Sequence, residues 1–339
     1  MTSFDINLLP SYDPEVERRV CFITGGNSGI GYYTALNLYM KGYMVYIASR
    51  SKQRMERAIN DIREEAIRRR LKLSSSSSIS NGNGTSSSNK LGELYYIEID
   101  LLNLNSIELA VKEFKSRENS LHLLIDNAGI MAVPFKLTKD NLEVQLQTNY
   151  ISHVLLNDRL IELMLKDSVI NPRIVLLSSI GHWLLPVKLS LNYQFTHYKP
   201  NLLFSWFRYA LAKTAGIQYM KILSKKYPKI LCLSVHPGFV MNTNLFSHFT
   251  RLPIIGLFFW CCFQFFGWVF GVTNEEGSYS TLKCALDPSL NCQDDNGKYF
   301  TTLGIESKPS AYVLDEKYAL ENWNWTVDEL AKRGHPVEI

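Results

Sequence analysis

A glycine-rich stretch, Thr24-Gly25-Gly26-Asn27-Ser28-Gly29-Ile30-Gly31, follows directly on an apolar run at residues 20–24 and opens a helical pattern at residues 30–41 that stops at Gly42. Few arrangements accept a strand, a turn stripped of Cβ atoms and a helix in that order. A second apolar run, residues 43–48, completes a βαβ unit, and parallel strands joined by a crossover need helices over the sheet. The alternation continues, with strands expected at residues 94–99, 121–125, 173–177, 230–235 and 298–301 and helices at 52–73, 106–117, 142–165 and 205–227. Runs such as Ile174-Val175-Leu176-Leu177 are apolar at every position, which signals burial on both faces. The pattern predicts one α/β domain, a doubly wound parallel sheet of Rossmann type with helices on both faces, over residues 18–305. Residues 1–17 form a lead and residues 306–339 a C-terminal extension.

Two stretches interrupt the alternation. Residues 74–89 are almost wholly Ser, Asn, Gly and Thr, too poor in apolar area to offset the entropy of ordering, and are expected to be a disordered insertion. Residues 252–272 carry no charge and include eight Phe or Trp. As a helix they would reach about 30 Å, the thickness of a bilayer core. A single crossing would strand the last sheet strand on the far side of the membrane, and Pro253, Gly256, Gly267 and Gly271 break a simple span. A monotopic or hairpin-like membrane insertion fits better, and packing inside the protein or a dimer is the alternative. The basic helix after Arg50 could add attraction to anionic head groups.

With 46% hydrophobic and 20% charged residues the chain can build a large core, and a net charge of +4 is too mild for a nucleic-acid binder. Its six cysteines show neither metal spacing nor a disulfide framework, so no metal is expected. The N-terminus lacks the pattern of a secretory signal.

In its strand-turn-helix setting, the glycine turn is suited to a pyrophosphate, approached by backbone N–H groups of Gly25, Asn27, Ser28, Gly29, Ile30 and Gly31 at a helix N-terminus. About 20 residues on, where an acid would hold an adenosine ribose hydroxyl, stand Ser49 and Arg50, with Lys52 close behind. A hydroxyl and two cations suit a 2′-phosphate, so NADP(H) is expected over NAD(H). Asp100 sits either against the adenine or at the N-terminus of the next helix.

These residues, together with Asp126-Asn127-Ala128-Gly129, Asn149, Ser178-Ser179, Tyr209-Ala210-Leu211-Ala212-Lys213 and His236-Pro237-Gly238, resemble the short-chain dehydrogenase/reductase superfamily. Within it the chain is similar to the retinol-dehydrogenase-like and WW-domain-oxidoreductase-like branch and to fungal oxidoreductases of lipid droplets. The resemblance implies that Tyr209 is the general acid/base, that Lys213 tunes it and grips the nicotinamide ribose, that Ser179 binds the substrate oxygen, and that Asn149 holds a relay water. It also implies that Asn127, Ala128, Gly129, Pro237 and Gly238 line the cofactor. Tyr209 and Lys213 share a helix face, and an ammonium there should lower a phenol that otherwise titrates near 10.

Three departures stand out. Asp126 replaces an asparagine; the hydroxyl expected after Pro237 falls on Asn242 or Thr243; and the 30 residues from Ser179 to Tyr209 are long. The last interval carries His182, Trp183, Leu184, Leu185, Tyr193, Phe195, Tyr198, Phe204, Trp206 and Phe207, an expected apolar wall over the substrate. His182 and His197 show no metal spacing. The expected function is an NADP(H)-dependent oxidoreductase that interconverts a lipophilic carbonyl and its alcohol on the cytosolic face of a lipid droplet or endoplasmic reticulum membrane. A membrane-bound scaffold or NADP sensor without turnover is the alternative, and a homodimer is compatible with either.

Overall fold

Every position of β1 (Arg19–Thr24) is buried, and its side chains divide between two separate cores, Val20 and Phe22 facing one and Cys21 and Ile23 the other. A strand with two buried faces must lie between two helical layers, and that constraint organises the computed structural model, which describes residues 5–77, 90–191, 200–240 and 271–338. Residues 78–89 of the polar insertion, Tyr193, Phe195, His197, Tyr198, Asn242, Thr243 and residues 252–270 of the apolar stretch lie outside the described residues.

The strands are β1, β2 (Tyr43–Ser49), β3 (Glu93–Glu98), β4 (Leu123–Asp126), β5 (Arg173–Leu177), β6 (Leu231–Val235), β7 (Phe239–Val240), β8 (Gly271–Val272), β9 (Tyr299–Thr301) and β10 (Ile305–Glu306). Eight form one sheet in the order β10-β9-β6-β5-β4-β1-β2-β3. All pairings in it are parallel except β9 with β10. The doubly wound prediction holds. β10 was not legible in advance, because two residues turned back at Leu303 (φ 62°) and Gly304 (φ 68°) leave no periodicity to read.

One face is covered by α1 (Gly29–Met40), α2 (Lys52–Ser77) and a later helix, Asn274–Leu286, which contributes Leu282, Cys284, Ala285 and Leu286. The other is covered by α3 (Leu104–Arg117), by α4 (Val144–Leu146) running through a π turn at Gln147–Ile151 into α5 (Ser152–Met164), and by α6 (Asn201–Lys226). We number the remaining helices α7 (Asn274–Leu286), α8 (Ala311–Leu314) and α9 (Glu316–Lys332).

Two boundaries differ from the sequence reading by four residues. α2 runs on to Ser77, so residues 74–77 of the supposed insertion continue the helix; adding residues to an existing helix is cheap, and the Ser75 hydroxyl donates back to the Lys72 carbonyl at 2.8 Å. α6 begins at Asn201, four residues before the expected start, directly after Pro200.

Residues 306–339, read as an extension, supply Tyr318, Trp323 and Leu330 to the same core as α5 and α6. Trp323 stacks on Tyr219 of α6 with centroids 5.6 Å apart, Asn322 donates to the Gln218 side-chain carbonyl at 2.8 Å, and the Tyr150 and Thr326 hydroxyls meet at 3.0 Å. α9 thus packs onto α6 and the π turn. Replacing Trp323 by Ala is expected to cost about 3 to 5 kcal/mol, the range for removing a large buried aromatic. Urea unfolding of the whole chain, followed by circular dichroism, reads this directly, and a midpoint equal to that of the unaltered protein would show the helix to be peripheral.

Candidate active site

The C-terminal ends of β1, β4 and β5 open onto one crevice. At β1 the turn is built from glycines that have no substitute: Gly25 and Gly29 take φ of +67° and +58°. At Gly31 a Cβ would stand 2.4 Å from the Gly25 carbonyl oxygen and 2.5 Å from Asn127 Nδ2. The Thr24 hydroxyl accepts the backbone N–H groups of Asn127 and Ala128, both at 3.0 Å, and Asn127 Nδ2 donates to the Thr24 carbonyl at 2.7 Å. These bonds tie the turn after β1 to the turn after β4. Ser28 occupies the N-cap of α1 without a side-chain cap bond. The resulting helix N-terminus, beside a cradle that any Cβ at Gly31 would fill, fits a dinucleotide pyrophosphate.

The sugar end is less enclosed. Ser49 ends β2, Arg50 is exposed, and Lys52 lies at the start of α2 with its Nζ 5.6 Å from the Tyr96 ring centroid. Asp100 is engaged locally: its carboxylate accepts the Leu102 N–H at 3.1 Å and its own N–H donates to the Ser106 hydroxyl at 2.9 Å. Gly238, at φ +92°, follows Pro237 beside Thr302.

The four residues expected to handle the substrate converge. Ser179 caps the short 3-10 turn Ile180–Leu184, its hydroxyl accepting the Gly181 N–H at 3.0 Å. Tyr209 and the Ser179 hydroxyl meet at Gly181, where a Cβ would stand 2.7 Å from Tyr209 Cε1 and 3.2 Å from Ser179 Oγ. Lys213, one turn further along α6, has its Nζ 5.7 Å from the Tyr209 ring centroid and donates to the Leu177 carbonyl at 2.7 Å. Asn149 lies in the π turn and clamps Ile130 on both sides, its Oδ1 accepting the Ile130 N–H and its Nδ2 donating to the Ile130 carbonyl, each at 2.8 Å. Gly129 runs between: a Cβ there would be 3.1 Å from Asn149 Oδ1 and 3.6 Å from Lys213 Nζ.

The electrostatics correct one expectation. Burial pushes the Tyr209 phenol up to about 12, opposed by the nearby Ser179 hydroxyl, rather than down under Lys213. Loss of hydration outweighs the neighbouring charge, and the same burial brings Lys213 itself down to about 8. The lysine charge is felt instead by two buried imidazoles. His153, held at about 3, meets the Thr24 hydroxyl at 3.0 Å, and His236 is held at about 4, in both cases chiefly by burial.

Sequence reasoning missed two supports. Gly181 backs the Tyr209 ring, with space for a Cβ only 2.7 Å from Tyr209 Cε1. His182, placed with an apolar wall, is fully buried and hydrogen-bonded at both ring nitrogens, to the Ser179 carbonyl oxygen and the Ser310 N–H. Neither carries a spacing rule, since Ser310 is brought in by the fold. Of the wall, Leu185 is buried and Phe204 and Phe207 meet edge to face at 5.7 Å, whereas Trp183 and Leu184 are exposed. Among the described residues no group of His, Cys, Asp or Glu is arranged to hold a metal ion.

Asp126, the departure from asparagine, is buried at the end of β4. Asn157 Nδ2 donates to its Oδ2 at 2.8 Å, Oδ1 has no partner, and burial raises the carboxyl to about 8. A carboxyl raised in the folded state keeps its proton there while the unfolded chain loses it, so the protein loses stability as pH rises from about 4 to about 8 and no further above that. Asp126→Asn removes this dependence. Melting temperatures of the two proteins should diverge in favour of the variant across that window, and parallel curves would refute the protonated carboxyl.

Comparison with known proteins agrees with the geometry. The short chain dehydrogenase family model matches residues 19–83 and 80–193. A short-chain dehydrogenase/reductase of Aspergillus calidoustus is 29% identical, covering 96% of this chain and 98% of its own. Retinol dehydrogenase 11 of Mus musculus is 32% identical, covering 94% and 88%. The crystal structure of an uncharacterized protein from Mycobacterium paratuberculosis superposes with a TM-score of 0.67 at 23% identity, over 100% of both chains. With the glycine turn and Ser179 inside a family model matched over residues 19–193, more than half of the sequence, and with Tyr209 and Lys213 brought beside them by the fold, the chain belongs to the short-chain dehydrogenase/reductase superfamily.

Proposed function

We propose that this protein is an NADP(H)-dependent oxidoreductase that interconverts a lipophilic carbonyl and its alcohol at a lipid-droplet or endoplasmic reticulum surface. The observation that carries the chemistry is Tyr209 brought beside Ser179 at Gly181, with Lys213 one helical turn away. Hydride transfer to the carbonyl carbon is the chemistry a bound nicotinamide dinucleotide supplies. The chain's own residues do the rest. Ser179, itself oriented by the Gly181 N–H, offers a hydrogen bond to the carbonyl oxygen. Tyr209 delivers a proton to that oxygen as negative charge grows on it, and a phenol raised by burial is a proton holder until such a base forms. Lys213 stabilises the phenolate left behind. Asn149, locked to Ile130, keeps the floor of the crevice in place.

NADP(H) is favoured by the exposed Arg50 just after β2 and by Lys52 at the start of α2. A lipophilic substrate is favoured by Phe204 and Phe207 and by the relative named for retinol. The membrane setting rests on residues 252–272. Among the described residues no helix is long and apolar enough to cross a membrane. β7 and β8 pair in parallel, Phe239 beside Gly271 and Val240 beside Val272, so the chain departs and returns at one place, as a monotopic insertion requires.

NADPH consumption over a panel of long-chain aldehydes, retinoids and sterol ketones tests the reading. Tyr209→Phe should lower turnover by about 100-fold or more with NADPH binding retained, and Arg50→Ala should weaken NADPH far more than NADH. Retention of full turnover by the phenylalanine variant would defeat the mechanism. Separately, replacing Phe258, Trp260 and Phe266 by polar residues should release the folded chain from liposomes in flotation, and undiminished flotation would refute the membrane role.

A further inference from the structure

We propose that His182 is a positioning residue that couples the C-terminal segment to the substrate-binding Ser179. Its two ring nitrogens do different things. The Ser310 backbone N–H donates to Nε2 at 3.1 Å, so Nε2 carries the lone pair and the ring proton sits on Nδ1. Nδ1 is 2.6 Å from the Ser179 carbonyl oxygen, which the His182 backbone N–H also reaches at 3.2 Å. Both bonds hold the backbone of the residue whose hydroxyl faces Tyr209. The imidazole is fully buried, with the Tyr299 ring edge-on at 5.2 Å, so it has no rotamer freedom to spend.

Ser310 is not an isolated contact. Tyr312 donates to the Pro186 carbonyl at 3.2 Å, Lys188 pairs with Asp315, and the Tyr318 hydroxyl donates to the Leu189 carbonyl at 2.5 Å. Residues 310–318 therefore run alongside residues 182–189, bonded at four points, and the same segment is held to α6 by Gln218 Nε2 donating to the Tyr312 carbonyl at 2.9 Å. α6 carries Tyr209 and the 3-10 turn carries Ser179. The C-terminal segment is thus bonded to both, and His182 is where it touches the site. Oxygen positions a fraction of an ångström apart decide such chemistry, so losing the tie lowers turnover more than substrate affinity.

The proposal rests on Ser179 and Tyr209 being the proton-handling pair, and the test separates the two claims. Asparagine can place an amide N–H near the Nδ1 position but cannot reach Ser310; glutamine can accept near the Nε2 position but leaves the Ser179 carbonyl unbonded. In the full chain, His182→Gln and His182→Asn, each of which cuts one of the two links, are both expected to lower kcat about tenfold with KM for the carbonyl within about twofold. An unaltered kcat in either variant overturns the proposal. Nitrogen-15 NMR of the unaltered chain should show His182 protonated at Nδ1, with a slowly exchanging proton; protonation at Nε2 overturns it with no reference to activity. Ser310→Pro, which suits the φ of −59° there but removes the N–H, should speed exchange of that proton, and unchanged exchange counts against the coupling. If the unaltered protein reduces no carbonyl, the functional reading falls while the NMR arms still judge His182.

Discussion

The whole site hangs on the bonds that tie the turn after β1 to the turn after β4. Thr24 accepts two backbone N–H groups from Asn127 and Ala128, and Asn127 returns a bond to the Thr24 carbonyl. β1 and β4 are neighbours in the sheet although 98 residues of other structure separate Thr24 from Leu123. Chain order therefore breaks at this point, with β2 and β3 on one side and β4, β5 and β6 on the other. Helices leave the strand ends on opposite faces here, and the gap between them is where an open parallel sheet admits a ligand. Without the Thr24 link, the glycine turn and the Asn127-Ala128-Gly129 wall would have no common reference.

From that point the site is a series of supports rather than a set of isolated groups. The π turn at Gln147–Ile151 presents Asn149 to Ile130, and Gly129 passes close to both Asn149 and Lys213 because it has no side chain. Gly181 gives the Tyr209 ring its seat. The price of this close packing is electrostatic: ionisable groups are buried, so Tyr209 is held protonated and Lys213 is brought down to about 8. Such tuning by burial poises an acid and a cation near each other, which suits proton delivery to an oxygen that becomes basic during the reaction.

Much of this was legible in the amino-acid order. The apolar runs of β1, β5 and β6 read as buried strands, and the glycines of residues 25–31, set between a strand and a helix, as a close-approach turn. Tyr209 and Lys213 share a face by helical geometry alone. Asp100 shows the limit: two placements were compatible with its position, and the structure engages it in its own turn through Leu102 and Ser106. The expectation for the Tyr209 phenol failed for a related reason. Sequence spacing reveals a neighbouring charge, but the degree of burial depends on every element packed around it.

The sequence by itself determined the parallel sheet, the phosphate-suited turn and the identity of the residues in the crevice, because local periodicity, glycine sterics and helical spacing act over a few residues. Only the tertiary structure decided that Asp126 would be a buried, raised carboxyl, that β10 would close the sheet edge, and that Ser310, Trp323 and the rest of the C-terminal segment would brace the far side of the site. The bracing by the C-terminal segment depends on contacts between residues more than a hundred positions apart, His182 with Ser310 and Tyr219 with Trp323, and no short-range pattern encodes them.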